Sequence, residues 1–252
     1  MMQSENGDLI DSLLPIARRA GEAIMEIYQQ GIDAEQKADG SPVTLADQRA
    51  EDIILKGLQK LASGITVISE ENAESHSIDA PQRYFLVDPL DGTREFIKAD
   101  GRGSFTVNIA LIEHSTPVAG IIFAPALDEL YWGVVGKGAF FNGKQISTRK
   151  PDVASMVALA SRSHRDELTN SWIAENEISE TVSIGSSLKF CLIARGDADI
   201  YPRFGPTMEW DTGAGHAILS AAGGRVEHPD GREFTYGKPD YRNGAFIAKG
   251  FL

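Results

Sequence analysis

Apolar residues at Leu9, Leu13, Ile16, Ala20, Ile24 and Ile27 recur at steps of three and four, which predicts an amphipathic helix over 8–29. Pro15 is expected to mark its true first turn, where a missing N–H costs little. A Gly/Pro/Ser loop over 37–43 follows. Ala46, Ala50, Ile53, Ile54, Leu58 and Leu61 then repeat the helical period, with Thr44 as candidate cap and Asp47 in the first turn. Beyond them the pattern shortens to strand-length runs. Residues 66–69 read as a strand running into Glu70-Glu71, and Tyr84-Phe85-Leu86-Val87 as a buried strand bounded by turn formers. The runs 105–112, 117–123 and 130–135 are joined by short polar turns, and 138–146 is a hairpin around Asn142-Gly143. The first half is therefore two helices on a largely antiparallel sheet.

After Lys150 strands and helices alternate: strand 157–160, helix 167–175, strand 182–184, helix 187–194, strand 200–201. A last helix over 212–222 stops at Gly223-Gly224, and an Asp230-Gly231 turn leads to a final strand at 245–248. The expected class is α/β (α+β), with an N-terminal lobe over 1–150, a C-terminal lobe over 151–252 and a cleft between them. There is no repeat, no low-complexity segment and no long linker.

The chemistry converges on Asp88-Pro89-Leu90-Asp91-Gly92-Thr93-Arg94-Glu95-Phe96. Pro89 keeps Asp88 from continuing into a helix, while Asp91 is a good N-cap for a first turn of Gly92-Thr93-Arg94. Such a corner aims two carboxylates and unpaired carbonyls outward beside the N–H groups of Gly92 and Thr93. Hard divalent cations and a phosphate suit that donor set. Asp-Gly-Thr is also ordinary turn chemistry, and the stretch alone fits a capped turn as well.

Three further acids stand at element ends: Asp47, Glu70 and Asp211. Each alone is explained by the attraction of a helix N-terminus or a strand end for charge. Together they could bridge two or three Mg2+ ions, leaving positions for water and phosphate. The five histidines are scattered with no paired spacing, and the single cysteine excludes a thiolate cluster, so zinc is disfavoured.

Composition narrows the partners. With 42% hydrophobic and 24% charged residues, the 252-residue chain is an ordinary globular protein. Its formal charge of −12 argues against nucleic-acid polymers but allows a small phosphorylated ligand held through cations. No run of 18 apolar residues exists, and residues 1–8 lack the order of a signal peptide, so a cytoplasmic location is expected. Cys191, between Phe190 and Leu192, reads as a buried hydrophobe in a reducing compartment. The sequence does not speak to oligomeric state or to peripheral contact with the inner face of a membrane.

Glu70-Glu71, Asp88-Pro89-Leu90-Asp91-Gly92-Thr93 and Trp210-Asp211-Thr212-Gly213-Ala214-Gly215 resemble, in order and spacing, the metal motifs of the inositol monophosphatase-like, lithium-sensitive phosphatases. Ser41-Pro42-Val43-Thr44, Glu95-Phe96-Ile97-Lys98, 105–112, Ser161-Arg162-Ser163-His164, Gly185-Ser186-Ser187-Leu188-Lys189-Phe190-Cys191 and 201–207 resemble its bacterial branch of 3'(2'),5'-bisphosphate nucleotidases. The resemblance covers nearly the full length; the segment 99–104 is Gly-rich and longer than that branch carries.

The resemblance implies a layered αβαβα sandwich with the site between its halves, and hydrolysis of 3'-phosphoadenosine 5'-phosphate in sulfur metabolism. It implies one Mg2+ on Glu70, Asp88 and the Leu90 carbonyl, a second on Asp88, Asp91 and Asp211, and a third near Glu70 through waters. Asp47 would hydrogen-bond Thr93, which with Glu70 orients and deprotonates the attacking water, without a phosphoenzyme. Leu90, Asp91, Gly92, Thr93 and Asp211 would touch the scissile phosphate ester. His164, Ser186, Lys189 and Arg203 fall where the far phosphate and nucleoside are gripped, although a solvated helix residue is an equal reading of Lys189, and His164 could merely cap at Asp166. Three rivals stay open. A haloacid-dehalogenase-like enzyme fits poorly, because Asp88 and Asp91 are three apart rather than two. The others are an inositol, sugar or histidinol phosphatase of the same superfamily, and a non-catalytic metal and nucleotide sensor.

Overall fold

The computed structural model describes residues 2–30, 34–36, 42–98, 103–152, 155–161 and 165–250. Of the expected features, most of the 37–43 loop, residues 99–102 of the Gly-rich segment and Arg162-Ser163-His164 lie outside the described residues.

Helix α1 (Met2–Gln30) buries Ile10, Leu13, Ile16, Ala17, Ala20, Ile24 and Ile27 along one face. It starts ahead of the expected boundary and carries Pro15 in its interior. Pro15 and Asp11 are exposed, so the Asp11 carbonyl that proline leaves without an N–H faces water rather than the core. Strands β1 (Ala34–Gln36) and β2 (Pro42–Thr44) pair antiparallel before helix α2 (Leu45–Leu61), which follows Thr44 directly.

A seven-stranded sheet comes next: β3 (Thr66–Ser69), β4 (Arg83–Asp91), β5 (Thr106–Glu113), β6 (Thr116–Ala124), β7 (Glu129–Val134), β8 (Gly138–Phe141) and β9 (Lys144–Ile146), in that spatial order. Only β3 and β4 are parallel; the rest form an antiparallel meander. Short helix α3 (Thr93–Lys98) leaves the end of β4. Alternation along β4 explains its unbroken apolar run. Phe85 and Val87 enter the core shared with α1 and α2, while Tyr84 and Leu86 enter the core on the opposite face.

The second half contributes β10 (Val157–Ser161), α4 (Glu167–Glu175), β11 (Glu180–Ile184), α5 (Leu188–Ala194), β12 (Ile200–Arg203), β13 (Thr207–Met208), α6 (Gly213–Ala221), β14 (Arg225–Glu227), β15 (Arg242–Asn243) and β16 (Phe246–Lys249). Five of these strands form a mixed sheet in the order β11-β10-β12-β16-β14. Helices α5 and α6 lie between the two sheets, in a single core that joins Leu86 and Ile122 to Phe190, Ile218, Tyr201 and Phe246. Ile173 of α4 packs with Ala158, Ile200 and Ile247 on the outer side. The layers run α1 and α2, seven-stranded sheet, α5 and α6, five-stranded sheet, α4: the expected αβαβα sandwich.

Helix α6 is buried on every side from Gly213 to Leu219, which only small residues at its start permit. Gly120 of β6 faces it so closely that a methyl group there would stand 2.4 Å from the Ala214 carbonyl oxygen. That approach holds the entrance of α6 against the seven-stranded sheet.

Candidate active site

The corner after Val87 is built by a fault in the ladder. Asp88 pairs with Asn108 and Asp91 with Thr106, so Pro89 and Leu90 on β4 oppose Val107 alone. Two residues against one is a β-bulge, and Pro89, having no N–H to give, is suited to it. The Leu90 N–H is satisfied by Asp88 Oδ1 at 3.1 Å. Asp91 is thus the last residue of β4 rather than the helix cap expected from sequence. Gly92 takes that place: its carbonyl accepts from the Phe96 N–H at 3.0 Å, and its φ of +91° is left-handed. Glycine takes that conformation freely, and a Cβ at this position would stand 2.9 Å from the Ser104 carbonyl oxygen.

Around the bulge, four other elements bring in their acids and donors. The Glu70 N–H donates to the Val87 carbonyl at 3.1 Å, carrying the parallel pairing one residue past β3 and setting Glu70 beside Asp88. Asp47, buried in the first turn of α2, acts electrostatically on Asp88. Asp211 stands just before α6 and is fixed through Oδ2, which accepts from the Met208 N–H at 2.8 Å and from the Thr207 hydroxyl. Carboxylate oxygens of Glu70, Asp88 and Asp211 lie within 4.8 Å of one another.

Asp91 is held differently. Its Oδ2 lies 2.7 Å from the Ser187 hydroxyl, which is also 2.7 Å from the Asp211 carbonyl and accepts from Asn108 Nδ2 at 2.9 Å. Sequence reasoning missed Ser187 and Asn108 as site residues, although the adjacent hydroxyls of Gly185-Ser186-Ser187 ahead of an apolar helix were a visible signal. The Thr93 hydroxyl donates to the Leu90 carbonyl at 3.1 Å.

Packing these acids together makes Asp88 and Asp91 hard to ionise. Burial, then the charges of Glu70, Asp91, Asp211 and Asp47, push the Asp88 carboxyl well above its ordinary range. Burial and Asp211 raise Asp91 to about 6, opposed by the Ser187 hydrogen bond and by Lys189. Asp88 Oδ2 is fully buried and has no hydrogen-bond partner among the described residues. An orphaned buried carboxylate oxygen is costly, and a bound cation would supply the missing partner. All-oxygen donors of this kind fit a hard divalent ion.

The acids open into a cleft of about 230 Å³ between the sheets, lined further by Gly92, Thr93, Arg94, Ser186, Lys189 and Arg203. Lys189 is buried rather than solvated: Nζ donates to the carbonyls of Ser186 and Ile184 and sits 5.1 Å from the Tyr201 ring centroid. Burial lowers it to about 8, with Asp91 pulling the other way. Arg203 donates through Nη2 to Pro206 O at 2.8 Å and through Nη1 to the Tyr201 hydroxyl at 3.3 Å. Ser186 lines the same wall in a left-handed conformation, φ +50°. His164 lies outside the described residues, and the cap of α4 is Asp166, which accepts from the Thr169 N–H at 2.7 Å. Cys191 is buried, as expected. Among the described residues no helix is long and apolar enough to cross a membrane.

A layered α/β sandwich with an acid-lined cleft between its sheets describes a class of small-molecule phosphatases. The match is specific: the model of the inositol monophosphatase family covers residues 7–250, and the chain belongs to that metal-dependent family. It is 44% identical over 234 residues to the 3'(2'),5'-bisphosphate nucleotidase CysQ of Escherichia coli (strain K12), covering 90% of this chain and 94% of that protein. The CysQ of Haemophilus influenzae is 31% identical over 246 residues, covering 93% of this chain and 90% of that one. Among solved structures, CysQ from Bacteroides thetaiotaomicron superposes with a TM-score of 0.82 at 37% identity, covering 98% of each chain. An inositol monophosphatase of Thermotoga maritima reaches the same TM-score at 25% identity, covering 96% of this chain and 92% of that one.

Proposed function

We propose that this protein is a Mg2+-dependent 3'(2'),5'-bisphosphate nucleotidase that removes the 3'-phosphate of 3'-phosphoadenosine 5'-phosphate, giving AMP and phosphate. The observation that carries the reading is identity of 44–45% across 90% of the chain to nucleotidases of that name. The buried orphan oxygen of Asp88, inside a ring of carboxylates, supports it physically.

Glu70, Asp88 and the Leu90 carbonyl would hold one ion, Asp88, Asp91 and Asp211 a second, and waters on Glu70 a third. When bound, Mg2+ acidifies water and neutralises charge on the phosphate and on the departing ribose oxygen. The chain's own residues do the rest. The Thr93 hydroxyl proton is engaged by the Leu90 carbonyl and Thr93 lines the cleft, so its oxygen would orient a water there as an acceptor, with Glu70 as proton acceptor. Asp47, buried at the start of α2, would act through its charge on Asp88. The water oxygen bonds to phosphorus as the bond to the ribose oxygen breaks; that oxygen takes up a proton, and no enzyme side chain becomes phosphorylated. Ser186, Lys189, Arg203 and His164 would grip the nucleoside side of the substrate. The single buried cysteine is consistent with action in a reducing cytoplasm.

The decisive assay is phosphate release from 3'-phosphoadenosine 5'-phosphate and from inositol monophosphate, with and without Mg2+. Turnover of the nucleotide only with Mg2+, lost in Asp88→Asn with the fold retained, is expected. Faster release from inositol monophosphate would reassign the substrate, and binding without turnover would make the protein a sensor.

A further inference from the structure

Glu70 and Asp211 come from opposite halves of the chain, and their carboxylate oxygens lie within 4.8 Å of each other. Without a bound cation, two ionised carboxylates at that spacing repel, so the turns that carry them need a tie of their own. His76 supplies one. It is half-buried in a 3-10 turn (Ala73–Ser77) that follows Glu70, and its Nε2 lies 2.8 Å from the carbonyl oxygen of Ser69, the residue just before Glu70. A carbonyl only accepts, so Nε2 carries the proton. The same imidazole stacks on the indole of Trp210, the residue just before Asp211, with ring centroids 4.7 Å apart and planes 22° from parallel. Trp210 is buried and its Nε1 has no hydrogen-bond partner among the described residues, so packing alone sets where that ring lies.

Tyr241 braces the same junction. Its hydroxyl donates to the Ile78 carbonyl at 2.6 Å, just past the His76 turn, and its own carbonyl accepts from the Glu209 N–H at 2.8 Å, two residues before Asp211. Its φ of +51° is a left-handed conformation that a tyrosine keeps only where its surroundings hold it. We infer that His76 is a positioning residue for the metal site: it clasps the turn that presents Glu70 to the turn that presents Asp211, with Tyr241 as a second strut. The core brings the two halves together, and the clasp fixes the spacing of the two acids before a cation arrives. Less of the binding free energy then goes into ordering them. His76 acts through Ser69 and Trp210, not on the ion itself. The inference rests on the carboxylates holding Mg2+, and not on which phosphate ester is cleaved.

The test is Mg2+ binding to the substrate-free protein by titration calorimetry, with thermal midpoints recorded beside it. Wild-type protein is read first: failure to bind Mg2+ would overturn the metal role of the carboxylates in the proposed function, and that of His76 with it. In His76→Ala, Mg2+ affinity should fall about three- to tenfold. His76→Phe keeps a ring against Trp210 and His76→Gln keeps a donor near Ser69, so each should lose less than the alanine variant. Arg149→Ala breaks an ion pair with Asp199, beside the end of β12 remote from Arg203, and should lower the midpoint while leaving Mg2+ affinity unchanged. Wild-type affinity in His76→Ala, or an equal loss in Arg149→Ala, would overturn the role of His76. Where alanine costs the fold, the phenylalanine and glutamine variants are compared directly with wild type, and undiminished affinity in both would overturn it equally.

Discussion

Ser187 shows how much of the site depends on a side chain that carries no charge. Its hydroxyl meets Asp91 Oδ2, the Asp211 carbonyl and Asn108 Nδ2, so one oxygen ties together β4, β5, α5 and the entrance of α6. Ser187→Ala leaves the Asn108 amide and the Asp211 carbonyl without that partner in the interior. The expected cost is about 1–3 kcal/mol, read as a lower denaturation midpoint. Mg2+ affinity measured by calorimetry should weaken as well, because Asp91 loses the contact that aims it; unchanged affinity would reduce Ser187 to a structural role. At this scale the sequence was legible wherever an acid stood at the end of an apolar run. Glu70, Asp88 and Asp211 could be picked out because a carboxylate there is conspicuous, and the structure gathers their oxygens within 4.8 Å. Asn108 could not, and Ser187 only as one of two adjacent hydroxyls ahead of an apolar helix, because a hydroxyl or amide gains its role from the strands that face it.

Among the elements, α6 has the tightest constraints. Gly120→Ala places a methyl 2.4 Å from the Ala214 carbonyl oxygen and 2.9 Å from its Cα, both backbone atoms that cannot turn aside. We expect about 1–3 kcal/mol of destabilisation from overpacking. Because Asp211 rides at the entrance of α6, kcat/KM should fall by roughly tenfold or more even where the protein remains folded. A variant of normal activity would mean that the helix entrance tolerates the shift. One turn later on the same helix, His216 is buried against the Tyr236 hydroxyl at 3.2 Å. Burial, and then the charge of Lys238, depress it to about 3. A base whose folded value lies below its unfolded value near 6.5 contributes stability above that pH and loses it as the pH falls toward 3. From pH 7 to pH 4 this group lowers stability by at most about 1.4 kcal/mol per unit, while protonation of Asp88 and Asp91 acts the other way. Thermal denaturation should therefore show the wild-type midpoint falling relative to that of His216→Gln as the pH is lowered, and parallel pH profiles would contradict the assignment. The boundaries of α1 and α3 escaped sequence reasoning for related reasons. Pro15 reads as a helix start because the sequence does not show its exposure, and Asp91 as a cap because the bulge that keeps it in β4 depends on β5 opposite. Strand β14 and the short β13 and β15 carry too few apolar residues to signal themselves.

For the molecule as a whole, layer order followed from the change of rhythm near Lys150, where a meander gives way to alternation. What that rhythm could not supply is the degree of merging between halves. The core around α5 and α6 takes Tyr84, Leu86, Ile112 and Ile122 from the first half and Leu159, Tyr201, Val226 and Phe246 from the second, in one continuous cluster. Asp211 reaches the acids of the first half only because that cluster holds α6 against β6. Among the described residues, that shared core leaves no seam between the halves on which to open and close around a nucleotide. Selectivity must then come from surfaces already in place before the ligand arrives, and traffic in and out of the cleft from the loops at its rim rather than from any swing of one half against the other.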